Sequence, residues 1–123
     1  MADSGFYSSD ITPPSTSGSG LRLPFDAEGG IELSQIRPGT ILEVQTRNNA
    51  YTVIPQESGE MLIWGHPQYC PEPILTAGLG SAYLTGVVRQ GYIGPGMRLT
   101  FPTEDRRRVL TSRIVSLRGK PKN

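Results

Sequence analysis

Glycine and proline decide most of what this chain can become. They supply 15 and 11 of its 123 residues, about a fifth of the chain. Glycine loses the most backbone freedom on ordering, and proline removes a donor N–H and clashes inside a helix. Both serve turns. A chain punctuated this densely holds short extended segments rather than long helices. Its length suits one domain with a modest core.

The segments between the punctuation read as strands. "TILEVQT" (40–46) sets Leu42 and Val44 on one face and Glu43 and Gln45 on the other, the period of a half-buried strand. "RNNA" (47–50) is turn chemistry and "YTVI" (51–54) the return, so 40–54 predicts a hairpin. "LRLPF" (21–25), "IELSQIRPG" (31–39), "MLIWG" (61–65), "SAYLTGVVRQ" (81–90), "MRLTF" (97–101) and "VLTSRIVSLR" (109–118) add further extended segments. In 97–101, Met97, Leu99 and Phe101 face inward and Arg98 and Thr100 outward. A short helical turn is expected near 32–36, capped by Ser34. The expected fold class is all-β: a small, closed or partly open antiparallel β-barrel of about six to eight strands with little helix.

Residues 1–20, "MADSGFYSSDITPPSTSGSG", hold few large apolar groups and read as a flexible arm. Residues 21–118 form the single barrel domain, and 119–123 a loose tail. No apolar run is long enough for a spanning helix, and the N-terminus lacks the pattern of a secretory signal. A single cysteine forms no internal disulfide. The expectation is a cytoplasmic protein without a membrane partner. Residues 1–60 carry three arginines against eight acids, a net −5, and residues 61–123 nine basic residues against three acids, a net +6. A fold that interleaves the halves cancels this asymmetry; one that separates them presents a field to an anionic partner or to a second copy.

Residues 78–117 contain Thr85-Gly86, Val88, Gly91, Ile93, Gly96 and Leu99 in a frame of turn glycines and apolar positions. This frame resembles the second, β-barrel domain of translational GTPases of the elongation-factor type, where a strand ending in Thr-Gly precedes glycine-marked turns. The resemblance implies barrel topology. The nucleotide machinery of that family is absent, because no G-x-x-x-x-G-K-[ST] occurs.

Two places concentrate chemistry. "WGHPQYCPEP" (64–73) holds the only Trp, His and Cys of the chain and three prolines. Trp64, His66, Tyr69, Cys70 and Glu72 are the candidate ligand-binding residues, because a stiff loop with aromatic and polar tips suits recognition. A metal site needs about four ligands, and His66, Cys70 and Glu72 fall short; a thiol nucleophile needs a group to orient His66. No catalytic, metal-binding or cofactor-binding set is expected. Cys70-Pro71 and His66-Pro67 are the candidate cis bonds. The second place is "DRRRV" (105–109), a charged hairpin tip. Arg106, Arg107 and Arg108, with Arg113, are the candidate nucleic-acid contacts through phosphate. The leading reading is a non-catalytic binding or interaction module for a protein partner or a second copy. The alternatives are a nucleic-acid or ribosome-associated protein using the basic half, and a thiol- or metal-dependent enzyme at His66 and Cys70.

Overall fold

The computed structural model describes residues 23–103 and 107–120. The expected arm (1–20), Leu21 and Arg22, Arg106 within the 104–106 tip, and 121–123 lie outside the described residues. The chain is all-β. Its strands are β1 (Ile31–Glu32), β2 (Ile41–Thr46), β3 (Ala50–Pro55), β4 (Met61–Trp64), β5 (Ile74–Thr76), β6 (Gly80–Ala82), β7 (Val88–Gln90), β8 (Tyr92–Ile93), β9 (Arg98–Pro102) and β10 (Arg108–Lys120). A 3-10 turn spans Leu33–Gln35. Eight strands form one antiparallel sheet in the order β5-β4-β3-β2-β10-β9-β6-β7, and β1 pairs with β8 as a separate ribbon. The sheet curls into a half-barrel, partly open.

The long strand β10 makes this curl. Its first half pairs with β9 and its second with β2. The register breaks between Leu110 and Arg113 and again between Ile114 and Ser116. Such bulges bend a strand and raise its twist, so one strand serves two half-sheets across a corner. Gly119 and Lys120 still pair, with Leu42 and Ile41, so the sheet runs two residues past the expected domain boundary.

Alternation fills the core as the sequence predicts. Leu42, Val44, Val53, Ile63, Met97, Leu99, Phe101 and Ile114 are buried. Leu42 pairs with Val53 and Val44 with Tyr51, so the 40–54 hairpin forms as expected. Thr100 departs from the pattern. It points outward, yet is buried under Arg108, whose Nε lies 3.3 Å from its hydroxyl.

Several expectations are corrected. Residues 81–90 are a hairpin, β6 and β7, and Gly86 sits in its turn rather than inside a strand. The stretch after the Pro-rich loop yields β5, which its prolines concealed. Residues 23–25 form no strand; Leu23 instead packs on the core beside Gly119. Ser34 lies inside the 3-10 turn, whose N-cap is Glu32 with no side-chain cap bond. Every peptide bond among the described residues is trans, so neither proline bond is cis.

One turn design recurs. Asp26–Gly29, Gln56–Gly59 and Tyr83–Gly86 each close when the glycine N–H donates to the carbonyl three residues back, at 3.0, 3.0 and 2.8 Å. The glycine φ values are 84°, 92° and 93°, the left-handed position that such a tight loop requires.

The two ends of the sheet, β5 and β7, do not pair with each other. A strap over residues 26–36 packs where they part. Its Ile31, Leu33 and Ile36 are buried. The Asp26 carboxylate accepts from the Tyr92 hydroxyl at 2.6 Å and from the N–H groups of Glu28 and Gly30 at 2.9 Å. These bonds, the Tyr92 hydroxyl foremost, hold the Asp26 carboxyl below its usual range. Tyr92 also lies under the Arg89 guanidinium, 3.8 Å from the ring centroid, and Arg89 pairs with Glu32 at 2.8 Å.

The charge asymmetry of the sequence is partly cancelled in space. Arg89–Glu32, Arg118–Glu43 and Lys120–Glu43 each join the acidic half to the basic half, at 2.8–2.9 Å.

Gly65 and Gly59 separate two glycine requirements. Gly65 has φ 132°, and a Cβ there would stand 2.3 Å from the Ala50 carbonyl oxygen; at Gly59 a Cβ meets nothing. Gly65→Ala is therefore expected to cost about 3 kcal/mol or more by urea denaturation, and Gly59→Ala about 1 kcal/mol, the left-handed penalty alone.

Candidate functional site

Strand β4 leads straight into the loop singled out by its rare residues. Trp64 pairs with Thr52 of β3 and is half-buried on the outer face. Gly65 then crosses so close to Ala50 and Tyr51 that only glycine fits. The Gly65 N–H donates to the Cys70 carbonyl at 2.8 Å, and the Cys70 N–H to the His66 carbonyl at 3.1 Å. Within this turn the His66 Nδ1 accepts from the N–H groups of Gln68 and Tyr69, at 3.0 and 3.1 Å. The imidazole thus does the work of a capping side chain. The Tyr69 ring rests against it at 4.7 Å between centroids and is half-exposed. Glu72 points into solvent between Pro71 and Pro73.

Cys70 is fully buried. Burial pushes its thiol above the usual range, the opposite of an activated nucleophile. No hydrogen bond among the described residues joins the His66 ring to the thiol. The five candidates therefore share one turn without converging on one point. Trp64 faces outward, Cys70 inward, and His66 is committed to its own backbone. Beneath them lies Tyr51, whose buried hydroxyl lacks a well-formed hydrogen bond. Burial pushes its pKa up to about 12, the nearby thiol adds to this, and Asn49 opposes it.

The basic candidates also separate. Arg108 folds back: its Nη2 donates to the Gly78 carbonyl at 2.8 Å. Arg107 is exposed beside it, and its carbonyl accepts from the Thr103 N–H at 2.7 Å to close the hairpin. Arg113 stands five residues along β10, about 16 Å away at strand rise, and pairs in register with Arg98. Arg106 lies outside the described residues. So Arg108 and Arg113 belong to different patches.

A concave feature of the fold lies elsewhere. A cleft of about 490 Å³ opens at the seam of the half-barrel. Leu33 and Ile36 of the strap, Pro38, Pro55, Met61 and Leu79 give it apolar walls, and Ser34, Gln56 and Gln90 give it polar edges. Gln90 ends β7 and Ala77 follows directly on β5, so the ends of the two edge strands border it. None of residues 64–73 lines it. Its wall residues come from four separate segments, which no local pattern connects. The Arg-Pro-Gly-Thr turn at 37–40 supplies Pro38 to its wall. It closes with the Thr40 N–H on the Arg37 carbonyl, and Gly39 at φ 90° donates to the Pro55 carbonyl.

Comparison of the chain with known protein families, with curated proteins and with solved structures finds no match. Among the described residues no three His, Cys, Asp or Glu side chains gather to hold a metal ion. No helix among them is long and apolar enough to cross a membrane.

Three outcomes follow from these buried groups. Cys70 resists alkylation in the native protein and reacts fully once urea unfolds it, measured by mass shift against time. Tyr51 and Tyr92 both sit at about 12 in the fold, above the unfolded value near 10. The folded state therefore holds these protons longer. Stability is intact below about pH 10 and falls between about pH 10 and 12 as the unfolded chain ionises first. Tyr51→Phe removes its share of that fall and raises stability at neutral pH by up to about 1 kcal/mol, since a poorly satisfied buried hydroxyl is lost.

Proposed function

We propose that this chain is a non-catalytic binding module that takes an extended peptide segment of a partner protein in the seam cleft. The observation that carries the reading is an apolar cleft that lies at the ends of the two edge strands, β5 and β7, whose outer edges are unpaired. An unpaired edge presents backbone donors and acceptors that an added strand satisfies. The walls supply apolar contact through Leu33, Ile36 and Met61 and the flat faces of Pro38 and Pro55. The strap keeps the cleft preformed, which lowers the ordering cost of binding. We place the module in a reducing, cytoplasmic setting, in keeping with its lone, buried, unpaired thiol. The raised thiol of Cys70 and the backbone role of His66 argue against the enzyme reading, and the separation of Arg108 from Arg113 against one nucleic-acid patch at the hairpin tip.

Peptides selected from a display library on the wild-type chain test this. Ala77 and Ser34 are exposed lining residues, so Ala77→Trp and Ser34→Trp fill the cleft without touching the core. Selected peptides should bind these variants about tenfold or more weaker, with thermal unfolding little changed. Equal binding to the variants, or no selectable peptide, overturns the assignment.

A further inference from the structure

The β6–β7 hairpin carries an apolar tip into solvent. Leu84 and Val87 are 66% and 60% exposed, the two most exposed large apolar side chains described, and Tyr83 and Val88 flank them at 42%. No formal charge stands between Ala82 and Val88. The tip is rigid at its base, where the Tyr83 and Gly86 turn bonds close it at 2.9 and 2.8 Å.

Just behind the tip the charge changes. Val88 pairs with Ala82, Ala82 with Arg98, and Arg98 with Arg113, one continuous row across four strands. Residues paired in register share a face of the sheet. Arg98 and Arg113 are exposed, and neither has a carboxylate partner among the described residues. Like charges directly opposite repel, and an anion laid over them would relieve the repulsion. Arg47 adjoins the row, its N–H donating to the Arg113 carbonyl at 3.0 Å. Leu110 and Val115, both more than half exposed, continue the apolar surface along β10.

We propose that this face docks on an anionic lipid surface, with Leu84 and Val87 entering the interface and Arg98 and Arg113 meeting the headgroups. The layering carries the assignment. An uncharged aliphatic tip leads, Tyr83 stands at its shoulder, and cations lie one step back, the order in which a bilayer presents acyl chains, interface and anionic headgroups. Single-stranded nucleic acid fits the tip less well, because Leu84, Val87 and Val88 offer no stacking surface. The chain needs no spanning segment for this contact, so the expectation of no membrane partner, which rested on the lack of one, does not bear on it. The face is separate from the seam cleft, so the two readings stand or fall independently.

The test is co-sedimentation of the full chain with phosphatidylcholine vesicles, with and without phosphatidylglycerol. Binding is expected to the anionic vesicles and to weaken as salt rises. Leu84→Asp with Val87→Asp should abolish it. Arg98→Gln with Arg113→Gln should lower it about tenfold or more, since each basic residue near such a surface contributes about a factor of five. All four positions are exposed, and circular dichroism confirms that the variants fold. Three results overturn the proposal: no binding to anionic vesicles, binding unchanged in the Leu84/Val87 variant, or a dimer by light scattering without lipid that becomes monomeric in the Leu84/Val87 variant. Tight binding of single-stranded RNA that needs Arg98 and Arg113 but not Leu84, without vesicle binding, assigns the face to nucleic acid instead.

Discussion

The sheet of this protein does not close on itself, and the strap that covers its opening is the constraint on which the rest depends. Eight antiparallel strands end in two edges that do not pair. Without cover, the inward face of the sheet would meet water along the seam. Residues 26–36 lay Ile31, Leu33 and Ile36 into it. At roughly 2 kcal/mol for each buried side chain, these contribute a large fraction of the stability of a domain this size. The Asp26–Tyr92 bond sets where the strap enters, and the β1–β8 ribbon sets its register.

The same device creates the cleft. A strap seals a seam but does not continue the strand ladders, so the edges stay unpaired beside it. The walls are fixed because the strap is fixed: the Leu33 N–H donates to the Gly91 carbonyl at 2.7 Å and the Ile36 N–H to the Leu33 carbonyl at 3.1 Å. A closed barrel would hold its core equally well and have no such groove. The loop with the rarest residues turns out to be a stiff β4–β5 connection. Cys70 fills a space beside Tyr51, and His66 caps the turn. Rarity in composition pointed there, but the chemistry of a site needs convergence, and these side chains diverge.

Local signals read well where one physical preference had no competitor. The 40–54 hairpin alternates cleanly, its turn is Asn-Asn, and each face has one environment. The 81–90 segment differs from its expectation because apolar pairs, Tyr83-Leu84 and Val87-Val88, flank Thr85-Gly86 on both sides. Apolar residues at that density normally mark a buried strand, whereas here the chain leaves the sheet, turns at Gly86 and returns exposed. Thr100 misled in the other direction, since the chain gives no hint that Arg108 folds over it. Strand β5 was hidden by the prolines before it, which end at the residue where pairing to β4 begins.

By itself, the sequence determined the class of the fold. Its glycines and prolines set the turns, and its alternating residues choose which side of each strand faces the core, because both act within a few residues of backbone. Only the tertiary structure decided that the barrel stays open, where the strap lies, which wall residues form the cleft, and that Arg98 stands opposite Arg113 behind the Leu84 tip. Those facts depend on register and on the bends of β10 between residues far apart in the chain, and no local preference encodes a distance between segments that meet only on folding.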